Sequence, residues 1–470
     1  MNDDQTPWMR LLRELFGDDA EAALEELQRM GMDPQALAAA SGMTASPAMM
    51  DHVLSQIRTL LSQSDGQTVN WQLAHDVARG VAAQGGDPTV TASIAATHRE
   101  AVSRAELWLD AVTDLDPSRL EPRVWSRAEW VEATLPTWRV LAGPVAESVS
   151  QALGGVLSQE IGGEDAELAA VLGSQAGGML ASVSPTVCGM HMGQAAGQMA
   201  QETFGGTDLG LPLLPEPRVA LVPGAISAFA EGLEVPEDQV RVYLALREAA
   251  HVRLFQAAAW LPGTLHALVE RYSAGIRIDL DALDSAVREA GHGDPSTLQQ
   301  ALTKGIFTPH ADDEQQATLA SIETLLALIE GWVQDVVTRA AAPHVAQVGA
   351  LGEMMRRRRA AGGPAEDAFA NLLGLELRPR RMRDAAALWA ALASRGGPEA
   401  RDAVWSHPDL LPTAEDLDDW TAWVERRLTG DDDDTMDREL ERLLGGGTDA
   451  DPANDLDADG PDESESPGRE

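Results

Sequence analysis

The chain of 470 residues is 44% apolar, 23% charged and only 4% aromatic, which supplies enough apolar surface to offset ordering entropy and excludes a wholly disordered protein. Its 75 acidic against 35 basic side chains give a formal charge of −40, which repels a phosphate backbone and excludes a dedicated nucleic-acid binder. One cysteine, Cys188, excludes an internal disulfide framework and a multi-cysteine zinc site.

The start, Met1-Asn2-Asp3-Asp4, lacks the basic and apolar stretches of a secretory leader, so a cytoplasmic protein is expected. A helical appendage over 1–45 is read from residues 18–30, where apolar side chains recur at three- and four-residue steps behind acids in the opening turn. Residues 47–64 repeat the pattern and open a core taken to run over 46–428. Ser126 and Glu129 form an S-x-x-E capping box, which predicts a helix carrying Trp130, Leu135 and Trp138 with a kink at Pro136.

From Leu168 to Gln201 there is no charged residue. Gln175, Gln194, Gln198 and Gln201 suit lipid poorly, so no membrane partner is expected and the stretch reads as two buried helices broken near Ser184-Pro185. Gly189, Gly193 and Gly197 recur every fourth residue, which lets another backbone approach one helix face. Gly205-Gly206-Thr207-Asp208 opens a connector ending in Pro212, Pro215 and Pro217, and Arg218 to Val222 is the one fair strand candidate. The expected fold class is mainly α, with little or no β-sheet.

Pro236 with Glu237 and Asp238 starts a helix over 236–260 that Pro262-Gly263 stops, followed by a helix over 263–274. A helix over 316–342 follows. Basic residues gather at Arg356, Arg357, Arg358 and Arg359, and again at Arg378, Arg380, Arg381 and Arg383. They read as a solvated helix face and charged loop, or as a basic patch for an anion or partner. Residues 429–470 form an acidic tail, with 16 acids and 3 arginines from 430 onward, and are expected to be disordered.

The candidate chemistry lies at Arg247-Glu248-Ala249-Ala250-His251. A zinc-peptidase H-E-x-x-H motif needs two imidazoles one helical turn apart, with its Glu as general base. Here Glu248 and His251 keep the spacing, but Arg247 stands at the first ligand position, and a guanidinium has no lone pair to give. Glu330-Gly331, in an otherwise apolar helix, adds a carboxylate that is costly to bury without a cation or metal. Glu270 is the runner-up, and His191, His266 and His310 are the imidazoles that would have to fill the vacancy. No phosphate loop and no G-x-S-x-G elbow occurs, and Cys188 sits in the small-residue stretch as a buried thiol.

Several segments in order carry a resemblance: SRAEWVEATLPTWR (126–139), FGGTDLGLPLLP (204–215), the stretch 219–255 around REAAH, ALIEGWV (327–333) and 356–381. Over about 66–412 the chain resembles bacterial zincin-like proteins known as zinc-dependent metalloproteases or hydrolases. That resemblance implies a motif helix crossing a glutamate-bearing helix, with Glu248 as general base, His251 and Glu330 as metal ligands, and zinc as cofactor. Relatives often carry an acid one turn after the glutamate ligand; Gln334 stands there, with Asp335 next.

We therefore expect Arg247 to replace the charge of the metal by bridging Glu330, Glu248 or both. Three functions follow. The first is a zincin-like protein with a degenerate zinc site, weakly active or inactive as a peptidase, that binds or regulates a protein or peptide. The second is an active zinc protease with an atypical ligand set. The third is a helical scaffold whose acidic tail recruits a basic partner.

Overall fold

In this computed structural model the described residues are 68–160, 188–274, 313–362 and 381–430, with short pieces at 185–186, 277–278, 307–308, 367–368 and 370. The expected helices at 18–30 and 47–64, the appendage over 1–45, the acidic tail, Arg378, Arg380 and His310 lie outside them. The fold is mainly helical. In chain order the elements begin with α1 (Trp71–Ala82), α2 (Ala92–Leu109), β1 (Arg123–Val124), α3 (Arg127–Glu160) and α4 (188–202). Then come β2 (Ala220–Leu221), α5 (Pro223–Ala230), α6 (Glu237–Ala257), α7 (Trp260–Ala274), β3 (Arg277–Ile278) and β4 (Phe307–Thr308). The chain continues with α8 (Asp313–Ala341), α9 (Val348–Ala361), α10 (Met382–Asp402), α11 (Ala414–Asp418) and α12 (Trp420–Thr429). Among the described residues, no helix is long and apolar enough to cross a membrane.

Sheet structure is confined to two short pairs among the described residues. β1 runs parallel to β2, and β3 antiparallel to β4. The expected strand at 218–222 is real but brief: Arg123 and Trp125 donate to Val219 and Leu221, and Val222 donates to Phe204. It works as a clamp on the connector after α4.

α6 is buried on every side from Val242 to Phe255, so it is a central helix rather than an amphipathic surface one. Each fully buried Leu or Phe along it contributes about 1.5–3 kcal/mol. α2 packs on one flank of α6, α8 crosses another, and α10 and α7 back α8. The stop at Pro262-Gly263 falls elsewhere. α6 ends at Ala258, whose backbone leaves the helical region (φ −91°, ψ 71°), and α7 begins at Trp260 with Pro262 in its first turn. A first-turn proline costs nothing, because that amide has no helical acceptor.

Local signals hold α3 and α4. Ser126 and Glu129 make the reciprocal capping box, at 2.8 Å and 3.2 Å, and both Pro136 and Pro144 lie inside α3. On α4, a Cβ at Gly189 or Gly193 would sit 2.5 Å from the carbonyl oxygen of Asn70 or Ala74, and one at Gly197 would meet Val81. The four-residue glycine repeat is the surface on which α1 lies.

Candidate functional site

α6 and α8 cross where Arg247, His251 and Glu330 meet. Position 247 precedes 251 by one turn, so both side chains point from α6 toward α8. Glu330 answers from α8, and Gly331 beside it lets α10 press in: a Cβ there would lie 2.7 Å from Ala385 Cβ and from the Ala386 amide nitrogen. The Glu-Gly pair is thus one acid facing the site and one small residue facing the opposite neighbour.

The Arg247 guanidinium donates from Nη2 to Glu330 Oε2 at 2.6 Å, with side-chain exposures of 7% and 1%. Arg359, reaching in from α9, donates to Glu330 Oε1 at 2.7 Å. His251 Nδ1 lies 2.8 Å from the Arg247 carbonyl oxygen, which can only accept, so that nitrogen carries a proton. Its Nε2 faces Glu330 Oε1 at 3.2 Å. Burial alone would raise the Glu330 carboxyl, but Arg359, Arg247 and the His251 contact hold it well below the usual range. Burial likewise works against the Arg247 charge, and Glu330 more than compensates, raising its pKa.

Glu248 faces the other way. Its Oε1 accepts from the Gly206 amide at 2.8 Å and the Ala220 amide at 3.3 Å. Its Oε2 accepts from the Thr207 amide at 3.2 Å and the Thr207 hydroxyl at 2.6 Å. All four positions a carboxylate offers are filled by neutral donors. Burial pushes its carboxyl up from the ordinary carboxylate value, and those donors oppose the shift only in part. A Cβ at Gly205 would lie 2.5 Å from Glu248 Oε2, so only glycine lets the connector wrap this closely. The Trp130 indole ties the wrap to α3 by donating to the Gly205 carbonyl oxygen at 2.9 Å.

The structure therefore brings together Arg247, His251 and Glu330, and leaves Arg247 unbonded to Glu248. Glu270 is exposed on α7, with Arg271 beside it paired to Glu314. His266 donates to the Pro212 carbonyl oxygen at 2.9 Å, and His191 is exposed on α4, so neither imidazole fills the ligand position. Cys188 is buried in α4. The arginine run on α9 is not one basic face. Arg356 and Arg357 both pair with Glu353, Arg358 pairs with Asp208, and Arg359 is buried on Glu330. Arg381 pairs with Asp418, and Arg383 is exposed at the start of α10. Asp335 is paired with Arg339 and Arg401, and Gln334 donates to Thr338. Neither supports Glu330.

Two groups were not anticipated: the Gly205-Gly206-Thr207 cradle and Arg359 as a partner of Glu330. The cradle left a trace in its Gly-Gly-Thr string, but its acceptor lies 41 and 42 positions away. Arg359 carried no mark separating it from the three arginines before it.

Zinc fits these residues poorly. His251 Nε2 and Glu330 Oε1 are spaced about as two ligands of one tetrahedral ion would be, since bonds of about 2.0–2.2 Å put their ends roughly 3.3 Å apart. A guanidinium cannot complete that set, and both Glu330 oxygens already bond to guanidiniums. Among the described residues, no group of three His, Cys, Asp or Glu side chains is placed to hold a metal ion.

A family described as zincin-like metallopeptidase matches residues 69–424. Among solved structures, a protein from Chloroflexus aurantiacus, described as a "putative hydrolase with a novel fold", is similar with a TM-score of 0.53. The two are 18% identical, and the match covers 76% of this chain and 98% of that one, so the likeness is one of fold. No curated protein matches.

Proposed function

We propose, from the premise that this chain belongs to the zincin-like metallopeptidase family, that its site has exchanged a metal for an ion-paired cluster and that it serves as a binding or regulatory protein, without peptidase activity. The observation carrying this reading is the 2.6 Å contact of Arg247 with Glu330 at the position where the family motif has a ligand. A hydrolytic centre needs a polarised water and a base to take its proton. In this chain the base position is Glu248, whose oxygens are spent on the Gly206, Thr207 and Ala220 amides and the Thr207 hydroxyl. The arginines that bring positive charge to Glu330 offer no coordination site on which a water would be activated.

Full-length protein purified without chelator is expected to contain far less than stoichiometric zinc by mass spectrometry. It should cleave no peptide in a mixed library above the background of Glu248→Gln. Stoichiometric zinc together with cleavage that Glu248→Gln abolishes would overturn the reading and restore the alternative, an active protease with an atypical ligand set. The observation favouring that alternative is the ligand-like spacing of His251 and Glu330.

The partner of such a protein would be a basic protein or peptide, since residues 1–429 alone carry a net charge of −27. If the acidic tail does the recruiting, removing 430–470 should abolish binding of an arginine-rich peptide while leaving the helical circular-dichroism signal of the core.

A further inference from the structure

Arg247 is one of two buried cations on the same acid. Glu330 is held by two guanidiniums from two different helices, one on each carboxylate oxygen. A divalent ion would bring two positive charges to the glutamate, and so do two arginines in its place. We propose that Arg247 and Arg359 act jointly as the charge equivalent of a divalent cation on Glu330, so that α9 is part of the centre and blocks the metal position independently of residue 247. This rests on the reading above that the wild-type site takes no metal.

The geometry for the second block is specific. Arg359 bonds Oε1, the same oxygen that His251 Nε2 faces, so its guanidinium already occupies the oxygen that an ion shared by His251 and Glu330 would need. Its side chain is 3% exposed, and burial of this kind prevents solvent from screening its charge against an incoming cation. The neighbouring Arg358 fixes α9 in place. It donates to the Glu202 carbonyl oxygen at 3.0 Å, pairs with Asp208 at 3.3 Å and lies over the Phe204 ring, 4.2 Å from its centroid. Gly210, with φ +76°, closes the cluster: a Cβ there would lie 3.3 Å from Glu330 Oε1 and 3.8 Å from Arg359 Nη2. Restoring a histidine at 247 therefore leaves a buried, anchored cation against the ligand oxygen.

The test compares full-length wild-type protein, Arg247→His, Arg359→Met and the double variant. Each is incubated with zinc, desalted and analysed for metal, and thermal unfolding is followed with and without zinc. We expect stoichiometric zinc and a zinc-dependent rise in Tm in the double variant alone, with a cobalt-loaded sample showing the intense visible bands of a tetrahedral site. Stoichiometric zinc in Arg247→His by itself would overturn the proposal, as would a folded double variant that takes none. Zinc in the wild-type protein would instead overturn the underlying reading. If the double variant does not fold, Arg359→Lys and Arg359→Gln decide. Lysine should retain most of the wild-type Tm and glutamine should lose it, and equal Tm values for glutamine and wild type would overturn the requirement for a second charge.

Discussion

Arg247 and Glu248 are consecutive residues whose side chains serve opposite purposes. Arg247 neutralises a buried acid, while the Glu248 carboxyl is bonded directly to neutral groups, three amides and a hydroxyl. The two acids should therefore respond differently to amide substitution. Glu330→Gln leaves two buried guanidiniums without a counter-charge and is expected to cost about 3–5 kcal/mol in urea unfolding. Glu248→Gln turns an amide nitrogen toward backbone N–H groups and should cost about 2–3 kcal/mol. Thr207→Val removes a single donor from the same carboxylate and should cost about 1–3 kcal/mol, with the larger effects reserved for the carboxylates themselves. A loss from Glu330→Gln no greater than that from Thr207→Val would contradict the charge pairing.

Helix-scale packing makes its own predictions. The crossing of α1 on α4 depends on glycine at 189, 193 and 197, so Gly193→Ala, whose Cβ would clash with the Ala74 carbonyl oxygen and Val77, should lower stability by about 1–3 kcal/mol. On its other side α1 meets α3 through His75, which contacts Glu132 at 2.7 Å and Asp76 at 3.0 Å, with Arg79 also paired to Glu132. The hydrogen bond to Asp76, opposed by burial and reinforced by Glu132, raises the His75 pKa above its usual 6.5. A raised histidine stabilises fully below its unfolded value and less as pH climbs through its folded value. Glu132 is shifted the other way: burial is outweighed by His75 and Arg79, so its contribution is lost as pH falls through its lowered value. The α1–α3 contact should hence be firmest between those limits, near pH 5–6, and weaken toward pH 8 by about 0.2–1 kcal/mol, as partly exposed pairs do. Comparing the pH dependence of unfolding in wild type and His75→Ala measures this, and identical profiles would remove the contact from the account.

These elements also show what could be read in advance. The capping box at Ser126 and the glycine stripe are local patterns, and each fixes one helix end or face, whereas the crossing of the REAAH helix with the Glu-Gly helix was implied only by the resemblance to zincin-like proteins. The break at Ala258 was not legible, because Pro262 suits the first turn of a new helix as well as the end of an old one. The cradle and Arg359 were hidden for a different reason. A hydrogen bond between positions 207 and 248, or an ion pair between 330 and 359, depends on how helices are stacked, which no periodicity within one helix encodes.

Across the whole molecule, buried charge joins distant parts of the chain. Arg401 pairs with Asp335 at 3.0 Å and with Asp402 at 2.7 Å, while Asp402 also accepts from the Trp332 indole and the Thr113 hydroxyl. That single hub ties α8 and α10 to the segment after α2, 289 positions earlier. Arg253 does the same between α6 and α2 through Glu106 and Asp110. Asp402→Asn should therefore lower the Tm of the entire core in one transition, and a separate early transition of the C-terminal helices would show that the hub does not couple them.

The way the 205–207 turn folds around Glu248 has one more outcome. Peptide groups in a connector between helices normally swap their protons with solvent within seconds. Those of Gly206, Thr207 and Ala220 end on a carboxylate carried by the buried stretch of α6, so deuterium can reach them only when that helix itself comes away. In heavy water this stretch, irregular as it is, should keep its hydrogens as long as the interior of α6 does.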